Sequence, residues 1–409
     1  MQLLTSLAQL FGDLRAQKLR TTLTILGITW GTIAIVVLLA FGAGMERQLK
    51  KNARGLGDGI VIVFPGRTTK AFAGFGEGRA IRLREDDVAL LQREIPEIEA
   101  ISPEYTTRVP ARNGATTTNP LVTGVTPAYG DMRNIIVEPG GRFLNDIDVT
   151  QRRRVVVLGD QVKRLLFGDE DAIGKEIILG SAPFLVIGVM AKKTQDSSYG
   201  TRDENRVFIP ASTHAAVFGN RFLSVIIYRP IDPRVSGAVT ERLYEVLGRK
   251  YRFDPSDKDA IGIWDTADTM KIFTYLFLGF NIFLSVVGSF TLTVGGIGVA
   301  NIMYIVVRER TREIGIKRSL GARKRTILLQ FFFETAVIVA LGAAIGLAVS
   351  AGIIWLAGLL PIQEYIGRPT ISPMVLTTSL SLLVLIAFLA GLFPARKAAN
   401  LDPVECLRY

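Results

Sequence analysis

Chemistry needs nucleophiles, metal ligands or proton carriers, and this sequence supplies few in a useful arrangement. It has one Cys, Cys406, and one His, His214. A single Cys excludes a disulfide framework, a Cys-based zinc site and an iron–sulfur cluster. A single His excludes a multi-histidine metal site, and any Ser-His-Asp machinery would have to use it. His214 follows Pro210, Ser212 and Thr213 and reads as a helix-start residue. Asp254-Pro-Ser-Asp257-Lys-Asp259 is spaced somewhat like a calcium loop, but it lacks the Gly and the distal Glu, so a solvated turn is expected. Glycines around Gly55–Gly59 and Gly74–Gly78 do not lead from a strand into a Lys-bearing helix, so they read as loops and not phosphate cradles. No G-x-x-x-x-G-K-[ST] occurs; Ile173-Gly174-Lys175-Glu176 lacks the leading Gly and the hydroxyl that would meet Mg²⁺. The expectation is a chain with no catalytic, cofactor or metal residues.

The remaining candidates sit in or beside apolar stretches. Thr21–Gly44, Ile272–Val307 and Met374–Phe393 carry no charge, and Thr326–Leu360 carries only Glu334. A bilayer core needs ~20 apolar residues, so four transmembrane helices are predicted, the second and third long enough to tilt or project. The first begins too late and runs too long for a cleavable signal peptide. An intramembrane carboxylate is costly unless paired. Glu334 lies about two helical turns from Arg325, so pairing with Lys or Arg at the inner headgroup level or between helices is expected ahead of an ion relay. Gly27/Gly31 and Gly342/Gly346 each allow close helix approach, within a subunit or between two, and Gly295, Gly296 and Gly298 could mark a bend. Leu3, Leu7, Leu10 and Leu14 share one face, predicting an amphipathic helix along the inner membrane surface over residues 1–20.

The net charge of +11 is unevenly placed. Residues 45–271 hold 33 basic and 30 acidic residues, a net of +3, leaving +8 for the short segments beside the spans. That is a positive-inside pattern and argues against nucleic acid as a partner. The segment 308–325 carries Arg308, Arg310, Arg312, Lys317, Arg318, Arg323, Lys324 and Arg325 against two acids, Glu309 and Glu313. It should be cytoplasmic. Alternation then places both termini inside, residues 45–271 outside and 361–373 in a short outer loop. Arg47, Lys50, Lys51 and Arg54 beyond the first span oppose this, but long domains cross largely regardless of charge. Glu309 and Glu313, four apart, would share a helix face, with Ile314 as an apolar plug. The residues themselves leave two roles open for this segment: a coupling helix or a loop that only fixes topology.

The outer segment reads as mixed α/β. Gly59–Phe64 and Ile98–Tyr105 are predicted strands flanking a helix at Glu85–Glu94, and Phe222–Tyr228 and Ile261–Trp264 flank a helix at Ser236–Leu247. Two β-α-β units at the ends of the segment, about 45–110 and 211–271, suggest one split subdomain. An insertion at about 111–210 with apolar runs at Val155–Leu158, Ile177–Leu179 and Phe184–Val189 is expected to be mostly β. Ala71–Gly78 is expected to be a flexible loop.

Several strings resemble a known family. They are LRTTLTILGITWG (Leu19–Gly31), RRVVVLGDQVKRLLFGDEDAIGKEI (Arg153–Ile177), FLVIGVM (Phe184–Met190), RERTREIGIKRSLGA (Arg308–Ala322) and GLFPARKAANLDPVECLR (Gly391–Arg408). Together, in this order around four spans, they resemble the permease part of MacB-type ABC transporters in the MacB/FtsX superfamily. The resemblance implies a homodimeric inner-membrane permease with a porter-like outer domain and a β subdomain inserted in it. ATP-driven closure would move the outer domain and drive efflux or export of a periplasmic substrate, by mechanotransmission. It implies coupling to the ATPase through Arg308, Glu309, Arg310, Glu313, Ile314, Gly315, Lys317 and Arg318. MacB proper carries an ATPase domain ahead of its first span; here twenty residues precede it, so ATP and Mg²⁺ would be used by a separate subunit. A periplasmic adaptor and an outer-membrane duct are implied for a Gram-negative source, with membrane lipid around the spans. The alternatives within the superfamily are an FtsX-like signaller that activates a cell-wall hydrolase and a lipoprotein-release permease. A membrane-anchored enzyme finds no motif.

Overall fold

The computed structural model describes residues 18–195, 198–360, 367–402 and 406. Residues 1–17, most of the expected amphipathic helix, lie outside them. The chain divides into two units, one of residues 1–49 with 274–409 and the other of residues 50–273.

Among the described residues, the first unit has four helices long and apolar enough to cross a bilayer: α1 (Lys18–Arg54), α8 (Thr266–Glu309), α10 (Lys324–Ala357) and α11 (Pro373–Ala399). The start of α11 is fixed chemically. Ser372 caps it by accepting from the Val375 N–H at 3.3 Å, and Pro373 occupies the first turn, where a missing N–H costs nothing. The helices touch through small residues. A Cβ on Gly31 would lie 2.9 Å from Leu292 of α8, one on Gly342 2.9 Å from Ile28, and one on Gly346 2.6 Å from Thr32. A Cβ on Gly27 would sit 3.5 Å from the Gly295 Cα. Thr29 adds a hydrogen bond to the Gly342 carbonyl at 3.1 Å. All four glycines of the two small-residue pairs therefore make contacts within the subunit, packing α1 against both α8 and α10. Ile28, Ile35, Leu292, Val299, Ile338 and Leu383 form part of the shared core.

Among its described residues the second unit carries eleven strands: β1 (Val61–Pro65), β2 (Ile98–Arg108), β3 (Ala111–Asn113), β4 (Thr116–Thr118), β5 (Leu121–Val125), β6 (Val155–Leu158), β7 (Glu176–Leu179), β8 (Ala182–Val189), β9 (Arg206–Pro210), β10 (Val225–Pro230) and β11 (Ile261–Asp265). Its helices are α2 (Glu85–Glu94), α3 (Ala128–Met132), α4 (Asp146–Thr150), α5 (Asp160–Phe167), α6 (Ala211–Phe218) and α7 (Ser236–Tyr251). The strand order is β11-β1-β10-β2-β5-β9-β6-β8-β7-β3-β4. Strands from the two ends of the segment alternate in β11-β1-β10-β2, so neither β-α-β unit can form without the other. β2 bridges the halves: its first part pairs with β10 and its last four residues with β5.

Short helices α3, α4 and α5 lie among the strands of the inserted region. Two expectations change. Ala71–Gly78 is not a flexible loop but the tip of an ordered hairpin, with reciprocal backbone bonds between Phe72 and Phe75 at 3.0 and 2.9 Å. Asp257 is not a solvated turn residue. It is buried and accepts from the Thr69 N–H, the Thr69 hydroxyl and the Lys70 N–H at 2.7, 2.7 and 3.0 Å, pinning that hairpin. Those donors hold its carboxyl below the usual range although burial opposes them. His214 falls in the first turn of α6, as its sequence context predicts, and is fully buried, with its ring stacked 5.5 Å from Tyr105 and tilted 5.0 Å from Phe218.

The middle of this unit holds a buried ionic network. Arg206 meets Glu104 at 2.7 Å, Arg133 meets Asp203 at 2.6 Å and Lys193 meets Asp203 at 2.7 Å, and the Tyr199 hydroxyl donates to Glu104 at 2.5 Å. Burial alone would raise the Asp203 carboxyl, but Arg133, Lys193 and Arg206 together hold it below its ordinary value.

Candidate coupling site

The segment 308–325 is not a single loop. α8 runs on to Glu309, Arg310 leaves helical geometry at φ −96° and ψ 14°, and a separate helix, α9 (Thr311–Ser319), follows. Thr311 makes the joint by donating to the carbonyls of Val307 and Arg308 at 3.1 and 2.8 Å. The break corrects one expectation: Glu309 and Glu313 belong to different helices and do not share a helical face.

Three sets of contacts fix the inner side of α9. The first is a ring of five polar side chains. Arg310 donates to both Glu334 oxygens at 3.2 and 3.3 Å, and Gln330 donates to Glu334 at 3.2 Å. Lys317 donates to Gln330 at 3.4 Å and to Glu313 at 2.7 Å, and Glu313 lies 4.0 Å from Arg310. The ring ties α9 to α10. Glu334 is buried within it, so the one acid of the spans is an interhelical anchor. The second is Arg318, which donates to the carbonyls of Ala399 and Leu401 at 3.0 and 2.9 Å. A cation there satisfies carbonyls that the end of α11 leaves open and complements the helix dipole. The third is apolar. Ile314 is buried in the helical core, and a Cβ on Gly315 would lie 2.6 Å from the Cys406 Cβ. Ile314 is thus no exposed plug, and Cys406 is buried packing against α9.

What remains outward on α9 is a stripe that sequence reasoning missed. Arg312, Ile316 and Leu320, just beyond the helix, are exposed at i, i+4 and i+8, Ile316 by 46% and Leu320 by 83%. Exposed Arg308, Glu309, Arg323, Lys324 and Arg325 flank it in sequence. The spacing was present in the sequence, but reading 308–325 as one piece gave it no helix start from which to count. The stripe thus lies on the side of α9 away from its anchors.

Comparisons with known proteins now bear on this arrangement. Residues 21–246 match the MacB-like periplasmic core domain, and residues 285–403 match the FtsX-like permease C-terminal domain. A macrolide export ATP-binding/permease protein MacB of Bdellovibrio bacteriovorus is 32% identical over 414 aligned residues, taking in 100% of this chain and 62% of that protein. One from Hyphomonas neptunium is 33% identical over 410 residues, with 99% and 61% covered. The chain thus spans about three fifths of the length of these relatives. The crystal structure of the periplasmic region of MacB from Actinobacillus actinomycetemcomitans aligns with 55% of this chain and 96% of its own, at 23% identity and a TM-score of 0.44. The four apolar helices and the periplasmic-core match describe a multi-pass membrane protein with a large extracytoplasmic domain. With that match extending over more than half of its residues, the chain belongs to the family of MacB-like permeases.

Proposed function

We propose that the chain is the permease subunit of an ABC-type exporter whose ATPase is a separate subunit docking on α9. Two copies of each would assemble in a bacterial inner membrane, with both termini cytoplasmic. ATP would be hydrolysed by the partner, and its closure would push α9. One observation carries this reading. α9 exposes Arg312, Ile316 and Leu320 while its opposite side is locked to α10 and to the end of α11. A push on that face is delivered to three spans at once instead of being absorbed by a loop. α8 then runs without interruption from Glu309 back to Thr266, which directly follows strand β11. Displacement of α8 therefore reaches an edge strand of the extracytoplasmic sheet through one covalent helix. That route supports mechanotransmission as the way export of a periplasmic substrate is driven, through an adaptor and outer-membrane duct where the source has them.

The test is ATP turnover. The purified chain should show none, and co-expression with its ABC ATPase should yield a Mg²⁺-dependent complex of two permeases and two ATPases. Hydrolysis by these 409 residues alone would overturn the reading.

A further inference from the structure

The hairpin after β1 has a second property. Its tip, Phe72-Ala73-Gly74-Phe75, closes with both backbone bonds and with φ 49° at Ala73 and 82° at Gly74, the signature of a type I′ turn. Ala has no intrinsic preference for positive φ, so this turn is held by its surroundings. Asp257 grips one arm at Thr69 and Lys70, and Lys70 donates to the Ser256 hydroxyl at 2.7 Å. On the other arm Arg79 donates to the carbonyls of Tyr251 and Arg252 at 2.7 and 2.8 Å. The stem is thereby fastened to the connection between α7 and β11. A tip this firmly based nonetheless leaves Phe72 and Phe75 40% and 39% exposed.

The setting is cationic. The Arg79 and Arg252 guanidiniums lie 4.7 and 5.9 Å from the Phe75 ring centroid. The hairpin tip itself offers one acid, Glu77. Preorganised aromatic rings flanked by arginines are the composition of a binding hot spot, because the rings bury area at little entropic cost while the guanidiniums receive carboxylates.

We propose that the Phe72–Phe75 hairpin is a docking point for a protein partner that presents carboxylates around a small apolar cleft. Chain connectivity favours protein over lipid. β1 and β11 pair antiparallel with Val61 opposite Asp265 and Pro65 opposite Ile261. The connections to α1 and α8 leave from the Val61/Asp265 end, and the hairpin grows from the other. The proposal stands whether or not α9 is the ATPase contact.

The test is photocrosslinking in cells with the full chain, placing p-benzoylphenylalanine at position 72, at 75, and at exposed Ile231 as a control. Positions 72 and 75 should capture the same protein, identified by mass spectrometry and bearing an acidic cleft, while 231 does not. Arg252→Gly should cut the yield about tenfold, as loss of a hot-spot cation does. Gly suits the φ of 53° at Arg252, and Arg79 is left alone because it holds the stem. Normal expression and an unchanged melting temperature of this variant separate lost docking from lost folding. Lipid adducts at 72 and 75 would overturn the proposal in favour of a membrane contact. Capture no different from position 231, or capture indifferent to Arg252→Gly, would overturn it as well.

Discussion

His214 shows how much one side chain can reveal. It is fully buried between Tyr105 and Phe218, and burial pulls its imidazole down to about 4, against an opposing contribution from the Val122 backbone. An unfolded histidine titrates near 6.5. Between these values the unfolded chain binds the extra proton, so this contribution is whole above pH ~6.5 and is lost as pH falls toward about 4. Its slope approaches about 1.4 kcal/mol per pH unit. His214→Phe keeps a ring in the stack and removes the proton site. Thermal melts from pH 7 to 4 should therefore fall less steeply for the variant than for the parent; parallel curves would refute the assignment. The sequence revealed His214 as a lone histidine with no catalytic company but not its burial, because the walls come from β2 and the far end of α6. Asp257 shows the same limit. Its spacing suggested a solvated turn, while its actual donors, Thr69 and Lys70, lie almost the whole domain away in sequence.

Elements whose pattern is local were legible. Glu85–Glu94 is a helix in the structure over the residues that its acidic first turn and apolar face predict. Strands at Val155–Leu158 and Ile261–Asp265 follow their apolar runs to within a residue. The break at Arg310 was not legible, because it depends on Thr311 bonding backward and on a salt bridge to Glu334 in another helix. Without the break the exposed and anchored sides of α9 cannot be told apart. Helix contact is similar: the small residues were visible, but not which neighbour each would meet. This gives a prediction for the bundle. Gly346→Ala places a Cβ 2.6 Å from the Thr32 Cβ, an overpacking of the kind that costs roughly 1–3 kcal/mol. Gly298 has open space, so Gly298→Ala should be neutral or slightly stabilising through helix propensity. Differential scanning fluorimetry in detergent should show a lower melting temperature for the first variant only. Equal melting temperatures would mean that α1 and α10 do not pack here.

Coupling through α9 requires that helix inside the cell and the mixed sheet outside. Thr116 is exposed on β4 and Ser319 is exposed at the end of α9. In a Cys406→Ser background, Thr116→Cys should react with a membrane-impermeant maleimide once the outer barrier is open. Ser319→Cys should react only after the inner membrane is broken. The reverse pattern would mean that the cations following the first span decide topology. Given that topology, the central claim is that an ATPase grips the outward stripe of α9. Glu313 is a poor probe of this, because it is already engaged by Lys317 and sits beside Arg310. Ile316 and Leu320 are exposed and lie outside the buried helical core. The most direct measurement is co-purification of the ABC ATPase with the parent chain and with Ile316→Asp/Leu320→Asp. At least about tenfold less ATPase should bind the double variant, the effect of losing apolar anchors from a hot spot, at unchanged expression, insertion and melting temperature. Undiminished ATPase binding by that variant would contradict docking on α9.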